Sequence, residues 1–334
     1  MTSHQAAVSE PARMPAPAAV QLALHDDPGR FLADLLPAQG PGAPDDGTLA
    51  VTRTFVCDPP FFGGGDIGRL AVCGTVNALA ARGAEPRALT LGLTAEAGLP
   101  RDRLRQLADS VRHAAAEARV TVVDVHGRTV RAGDADQVYV TATALGTAGR
   151  YRPPGPGAAR PGDHIVVTGP LGDHEAHLLS LRAGLGYEHH VDGGCAPLSD
   201  LIALALATAG PGLRTVREPA EGGLATVLTE VATEARLTAR IEEPDLPVRR
   251  ITRLALDDLH RTPWSAASPG TLCLVVAPEV SPALLTALRG RPRAHRAAVV
   301  GTLHREAEHR LVLRAGDGTT RPVRAGEAGA ARVL

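Results

Sequence analysis

Residues 59–86 read PPFFGGGDIGRLAVCGTVNALAARGAEP, and the stretch decides the fold because it changes character partway along. It opens on prolines and three consecutive glycines, Gly63, Gly64 and Gly65, which end one element and begin another. From Asp66 onward the apolar residues recur at helical spacing, so Ile67, Leu70, Ala71, Gly74 and Leu79 share a buried face. Upstream, LAVTRTFVC at 49–57 reads as a strand. A glycine turn between strand and helix can cradle phosphate on the N–H groups of the helix start, and an ordinary tight turn reads the same way.

Working outward, PRALTLGLTAE at 86–96 reads as a strand, and Pro100 opens a helix with Leu104, Leu107 and Val111 on one face. Two strands follow, RVTVVDVH at 119–126 and DQVYVTATALG at 136–146. Alternating strands and helices predict an α/β (α+β) domain over 46–150. The proline- and glycine-rich YRPPGPGAARPG at 151–162 predicts a boundary, and a second α/β set fills 151–330. Its strands are DHIVVTG, LRTVRE, RLTARIEE, GTLCLVVAP, AAVVGTLH and HRLVLRAG; helices are expected over 173–185, 198–209, 222–235, near Arg250, and over 282–289. Residues 1–45, rich in Ala, Pro and Gly, predict a flexible start with one short helix. Residues 331–334 form a tail.

Composition narrows the function. A formal charge of −1, with acids and arginines interleaved, argues against nucleic acid as partner. No apolar run has the roughly 18–20 residues that cross a bilayer, so a cytoplasmic protein off the membrane is expected. Cys57, Cys73, Cys195 and Cys273 lie far apart without a C-x-x-C pair, which predicts buried thiols rather than a zinc ribbon or a disulfide framework. The chain has no lysine. Chemistry that relies on a compact, tunable ammonium is therefore closed to it.

The 59–86 segment closely resembles the HypE family of hydrogenase maturation factors. Further matches follow in order: GLP at 98–100, TGPLGDH at 168–174, Cys195 with Ala196, Gly222 with Gly223, ATVLTE at 225–230 and LPV at 246–248. The resemblance implies the two-domain fold of aminoimidazole ribonucleotide synthetase, with an N-terminal ATP-binding and dimerising domain. It implies ATP and magnesium as cofactors, and a homodimer or a heterodimer with a HypE paralogue. The carbamoyl transferase HypF and the HypC–HypD pair are the implied partners. The family's reaction is an ATP-driven dehydration in which a carbamoyl group on a terminal cysteine becomes a thiocyanate, the source of cyanide for nickel–iron hydrogenase.

Amide oxygen is a poor leaving group, so such a reaction phosphorylates it with ATP and offsets phosphate charge with metal. The resemblance places remnants of a nucleotide site at Asp66, Asn77, His126, Arg128, Glu218, Gly222, Gly223 and Glu230. It also marks departures. Arg53 and Ala78 stand where the family has aspartates, His126 replaces an aspartate and Arg128 a lysine, and Glu221 replaces an arginine before the glycine pair. Ser268, Pro269, Gly270 and Thr271 replace an asparagine, glutamate, glycine, lysine run, and Leu334 replaces the cysteine. These departures predict a divergent homologue with impaired or lost dehydratase activity, serving as scaffold or regulator. The alternative is an ATP-dependent enzyme retuned to another small substrate, resting on Glu218, Glu230, Asp66 and Arg128.

Three further features have ordinary readings. His174 and His177, with His189 and His190 in the next loop, fit a solvated helix edge better than a metal site, since H-E-x-H is not the zincin spacing. Trp264 is expected to pack on the domain surface, and Cys273, mid-strand, to be inert.

Overall fold

A computed structural model describes residues 47–305, 309–324 and 332–334. The expectations for residues 1–45, and Ala331 in the tail, lie outside the described residues.

The first layer grows from β1 (Thr48–Phe55), a small hairpin of β2 (Phe61–Phe62) and β3 (Gly65–Asp66), and α1 (Ile67–Ala81). Then come β4 (Ala84–Glu96), α2 (Arg101–Ala118), β5 (Thr121–Val130) and β6 (Val138–Ala148). The sheet order is β1-β6-β4-β5, antiparallel except for the parallel β4–β5 pair. Val138, Val140, Ala142 and Ala144 alternate inward along β6 and meet Leu70, Val76 and Leu79 of α1 in one core. The intervening residues face outward, where Thr141 and Thr143 pair by hydroxyl contacts with Thr54 and Thr52 at 3.1 and 2.9 Å. β5 is an edge strand whose Val123 and Val125 are exposed. The three glycines do not run straight into the helix; they turn the β2–β3 hairpin, and Asp66 then caps α1.

The second layer holds β7 (His164–Val167), α3 (Asp173–Ala183), α4 (Ser199–Ala209), β8 (Leu213–Arg217), α5 (Gly223–Ala235) and β9 (Thr238–Glu242). It is completed by α6 (Arg250–Asp258), β10 (Cys273–Val276), α7 (Ser281–Arg289), β11 (Ala298–His304), β12 (Leu311–Arg314) and β13 (Thr320–Pro322). The seven-stranded order is β13-β12-β9-β11-β7-β10-β8, with only β9–β12 parallel. Its central strands are apolar throughout because both faces are covered. Ile165, Val167 and Val275 pack on Leu224 and Leu228 of α5, while Val166, Leu274 and Val276 pack on Ile202 of α4 and Leu284 of α7. β13 has no apolar alternation, which is why the sequence did not announce it.

Residues 332–334 return to the first layer. Val333 bridges Cys57, and the Val56 and Asp58 N–H groups donate to the carbonyls of Leu334 and Arg332 at 2.5 and 2.9 Å.

Candidate functional site

The junction between the layers is built on Asn77, buried in α1. Its Nδ2 donates to the Ala196 carbonyl at 3.0 Å and to Glu218 Oε1 at 3.1 Å, and its Oδ1 accepts the Leu198 N–H at 2.7 Å. Glu218, which follows β8, also accepts the Gly270 N–H at 2.6 Å. Burial pushes its carboxyl up to about 7, against the pull of those two donors and of Arg53. At neutral pH this carboxyl is divided between its two forms, so it can give or take a proton.

Four arginines lie around that junction. Arg82 follows α1, Arg53 lies on β1, Arg217 ends β8 and Arg152 lies in the connecting segment. Burial holds the Arg82 guanidinium below its ordinary range, and the charges of Arg217, Arg53 and Arg152 add to the effect.

Between the layers lies a cleft of about 590 Å³, bordered by Gly64, Arg69, Asp173, His174, Cys195 and Gly270. Its rim is braced by ion pairs: Glu117 accepts from Arg69 at 2.7 Å and Arg293 at 3.0 Å, and Asp173 meets Arg249 at 3.2 Å. Burial raises the Asp173 carboxyl, while a hydrogen bond from Thr252 and the Arg249 charge oppose it. The Cys195 thiol is hydrogen-bonded to Cys73, which, with burial, pushes it well above the ordinary thiol range. All four cysteines are free and buried, and burial alone takes Cys273 to about 12.

His174 and His177 are not on a solvated edge, as the sequence suggested; both are buried. The loop 191–194 and the tail cover them. His177 Nδ1 meets the Val191 carbonyl at 2.6 Å, and the His174 ring nitrogens meet the carbonyls of Gly193 at 2.5 Å and Val333 at 2.6 Å. Burial holds the His174 imidazole below its ordinary range, His177 adds to the effect and the two carbonyls oppose it; the neutral ring donates to only one of those carbonyls. Trp264 is likewise buried in the core of the second layer rather than resting on its surface, with Arg321 over its ring at 5.0 Å.

Of the residues singled out from the sequence, Asn77 and Glu218 come together. Asp66 is elsewhere, capping α1 by accepting the Arg69 N–H at 3.0 Å. Gly222 and Gly223 start α5 at φ 69° and 64°; a Cβ on Gly223 would lie 2.7 Å from the Ala266 carbonyl oxygen, so glycine serves a close approach of backbones there. The nearby Ala225 N–H donates to the Trp264 carbonyl at 2.7 Å. Glu230 is exposed in the middle of α5, and His126 and Arg128 are exposed on the edge strand β5. The sequence reading missed Arg82, Arg152, Arg217 and the burial of His174. A signal was present for Arg152: it has no acid within four positions, whereas Arg105 and Arg112 have partners at helical spacing.

Residues 39–148 match the family described as AIR synthase related protein, N-terminal domain, and residues 160–314 match its C-terminal domain. The chain is 38% identical over 268 residues to carbamoyl dehydratase HypE of Azotobacter vinelandii, spanning 79% of this chain and 77% of that one. The chain belongs to the HypE family. Two solved structures each superpose with a TM-score of 0.81. One is a HypE–HypF complex, 27% identical, covering 89% of this chain and 98% of that one. The other is HypE in complex with ATP, 32% identical, covering 90% and 89%. The fold extends to thiamine monophosphate kinase of Aquifex aeolicus, TM-score 0.62 at 17% identity.

Magnesium, which the HypE resemblance implies, does not fit the residues at the junction. It takes near-octahedral oxygen ligands, mostly carboxylate, phosphate and water. Glu218 is already held by an amide and a backbone N–H, and the charge that acts on it is the Arg53 guanidinium.

Proposed function

We propose that this chain serves the maturation of nickel–iron hydrogenase as a HypE-type nucleotide-binding partner protein that has lost the family's dehydration. The observation that carries the reading is the charge reversal around Glu218. A carboxylate-and-metal centre offsets the charge of a phosphorylated amide oxygen, but Arg53 stands beside Glu218 instead of an acid. Two further positions agree: residue 269 is proline where the family has glutamate, and residue 334 is leucine, its side chain packed on the apolar core of the first layer.

The partner surfaces support a scaffold or regulatory role. The exposed edge strand β5 and an apolar groove between it and α2, lined by Leu93, Leu104, Val111 and Val125, suit a second copy of the chain or a HypE paralogue. HypF, present in the complex of a relative, is the carbamoyl transferase expected to dock, with HypC–HypD acting downstream. A cytoplasmic setting agrees with the absence, among the described residues, of a helix able to cross a membrane.

A second reading is favoured by Glu218 itself. A carboxyl at about 7 beside the cleft loop of Gly270 could act as general acid or base on a small free substrate. One experiment separates the readings. The full chain is mixed with its HypF, carbamoyl phosphate, ATP and magnesium, and complexes, phosphate release, cyanide and thiocyanate are measured. We expect a stable complex and a dimer, with no carbamoyl-dependent ATP hydrolysis and no cyanide or thiocyanate. Turnover that disappears in Glu218→Gln would sink the scaffold reading.

A further inference from the structure

At the foot of α1 the charges of Arg53, Arg152 and Arg217 all reach the Arg82 guanidinium. Gly83, next to Arg82, packs so closely on the connecting segment that a Cβ there would lie 2.6 Å from the Tyr151 carbonyl oxygen and 2.8 Å from Arg152 Cα. That contact fixes Arg152 beside Arg82. Arg53 sits on the side of β1 that faces α1, between the buried Val51 and Phe55. Arg217 comes from the other layer, and its Nε is buried without a hydrogen-bond partner.

No ion pair to a carboxylate is made by any of the four among the described residues. Of the four, Arg217 is half-buried and Arg53, Arg82 and Arg152 are exposed; three other half-buried arginines are paired, Arg69 with Glu117, Arg214 with Asp163 and Arg261 with Glu175, whereas Arg217 has no such partner. Glu218 is the acid within reach of Arg53, and its Oε1 is taken by Asn77 and Gly270. Like charges held together without a counterion repel, so the arrangement suits an anion supplied from outside.

We propose that Arg53, Arg82, Arg152 and Arg217 form a metal-free polyphosphate site, in which guanidinium groups do for a nucleotide's phosphates what magnesium does in related proteins. The proposal deepens the nucleotide-binding reading above and rests on it for the identity of the ligand. A guanidinium offers parallel N–H donors that match two phosphate oxygens, and it keeps its charge at every accessible pH. Four such groups bring charge comparable to that of a triphosphate. The same groups exclude a divalent cation, because Arg53 occupies with positive charge the place where a metal needs a carboxylate. Arg217 from one layer and Arg53 and Arg82 from the other would then close on the same ligand.

The test is isothermal titration of the full chain with ATP and, separately, with sodium tripolyphosphate, each in EDTA and in excess magnesium chloride. Arg53→Ala and Arg217→Ala are run alongside, with circular dichroism as the check on folding; Arg53 is exposed, so its variant removes no core contact. Both probes are expected to bind in EDTA, to weaken with added salt and with magnesium, and to lose about tenfold in affinity in each variant. ATP binding only when magnesium is present overturns the metal-free site and leaves the nucleotide reading standing. Tripolyphosphate binding in EDTA without ATP binding keeps the site and overturns the nucleotide reading. Binding that both variants leave unchanged overturns the site, and no binding of either probe overturns both.

Discussion

Glu175, buried, and Glu218, half-buried, are two carboxylates that the fold treats differently. Each accepts a backbone N–H from the same loop, Ala267 at 2.8 Å for Glu175 and Gly270 at 2.6 Å for Glu218. Glu175 then meets the Arg261 guanidinium at 3.0 Å, with both side chains well covered. Glu218 meets the neutral amide of Asn77 at 3.1 Å. Burial raises both carboxyls, and that of Glu218 reaches about 7. A carboxylate answered by its own arginine is spent on the fold. One held by neutral donors leaves the arginines near it available to a ligand.

The largest test of that contrast removes Glu175. Glu175→Ala leaves Arg261 buried without its counterion and the Ala267 N–H without an acceptor, and breaking a buried pair from one side costs roughly 3–5 kcal/mol. Urea denaturation should show that loss. A change under about 1 kcal/mol would mean that the pair behaves like a surface ion pair and that the contrast with Glu218 is false.

Glu218 should respond in the opposite sense, through pH. Its folded pKa lies above its ordinary value of 4.5, so the folded state holds the proton more tightly than the unfolded chain does. The resulting stabilisation is complete below about 4.5 and is lost as pH rises through about 7. Glu218→Gln removes the group that titrates. The stability difference between variant and wild type should therefore shift in the variant's favour between those limits, by up to about 3 kcal/mol. Denaturation midpoints measured from pH 4 to 8 check it, and parallel profiles would place Glu218 with ordinary surface carboxylates.

The sequence carried the fold further than the site, for reasons visible in particular residues. The helical spacing from Ile67 to Leu79 and the unbroken apolar strands DHIVVTG and GTLCLVVAP depend on neighbours a few positions away, so local pattern is enough to read them. The hairpin at Phe61–Asp66 hid inside a glycine run that also fits a phosphate loop. His174 and His177 looked solvated because their helix is polar in sequence; their cover comes from residues 191–193 and from Val333, at the far end of the chain. The arginine cluster is the extreme case, with members at 53, 82, 152 and 217 that no local window joins. Family resemblance supplied Asn77 and Glu218 and flagged Arg53, but a substitution noted singly does not show that its replacement has found three companions.

The tail gives the smallest effect. Arg332 pairs with Asp136 at 2.9 Å and lies near Asp58, half exposed, so the pair contributes on the order of 0.5–1 kcal/mol. Its backbone sits at φ 46°, where glycine is at ease and alanine is not. Arg332→Ala loses the ion pair and keeps the strain, whereas Arg332→Gly loses the pair and relieves the strain, so the glycine variant should be the more stable of the two. Hydrogen exchange localises the effect, because the Val56 and Asp58 N–H groups donate to Leu334 and Arg332 carbonyls while residues 48–55 are held by β6. Faster exchange at Val56 and Asp58 alone would show the tail opening by itself. Faster exchange along β1 as well would show that the tail supports the sheet carrying Arg53, and would tie the docked tail to the arginine cluster.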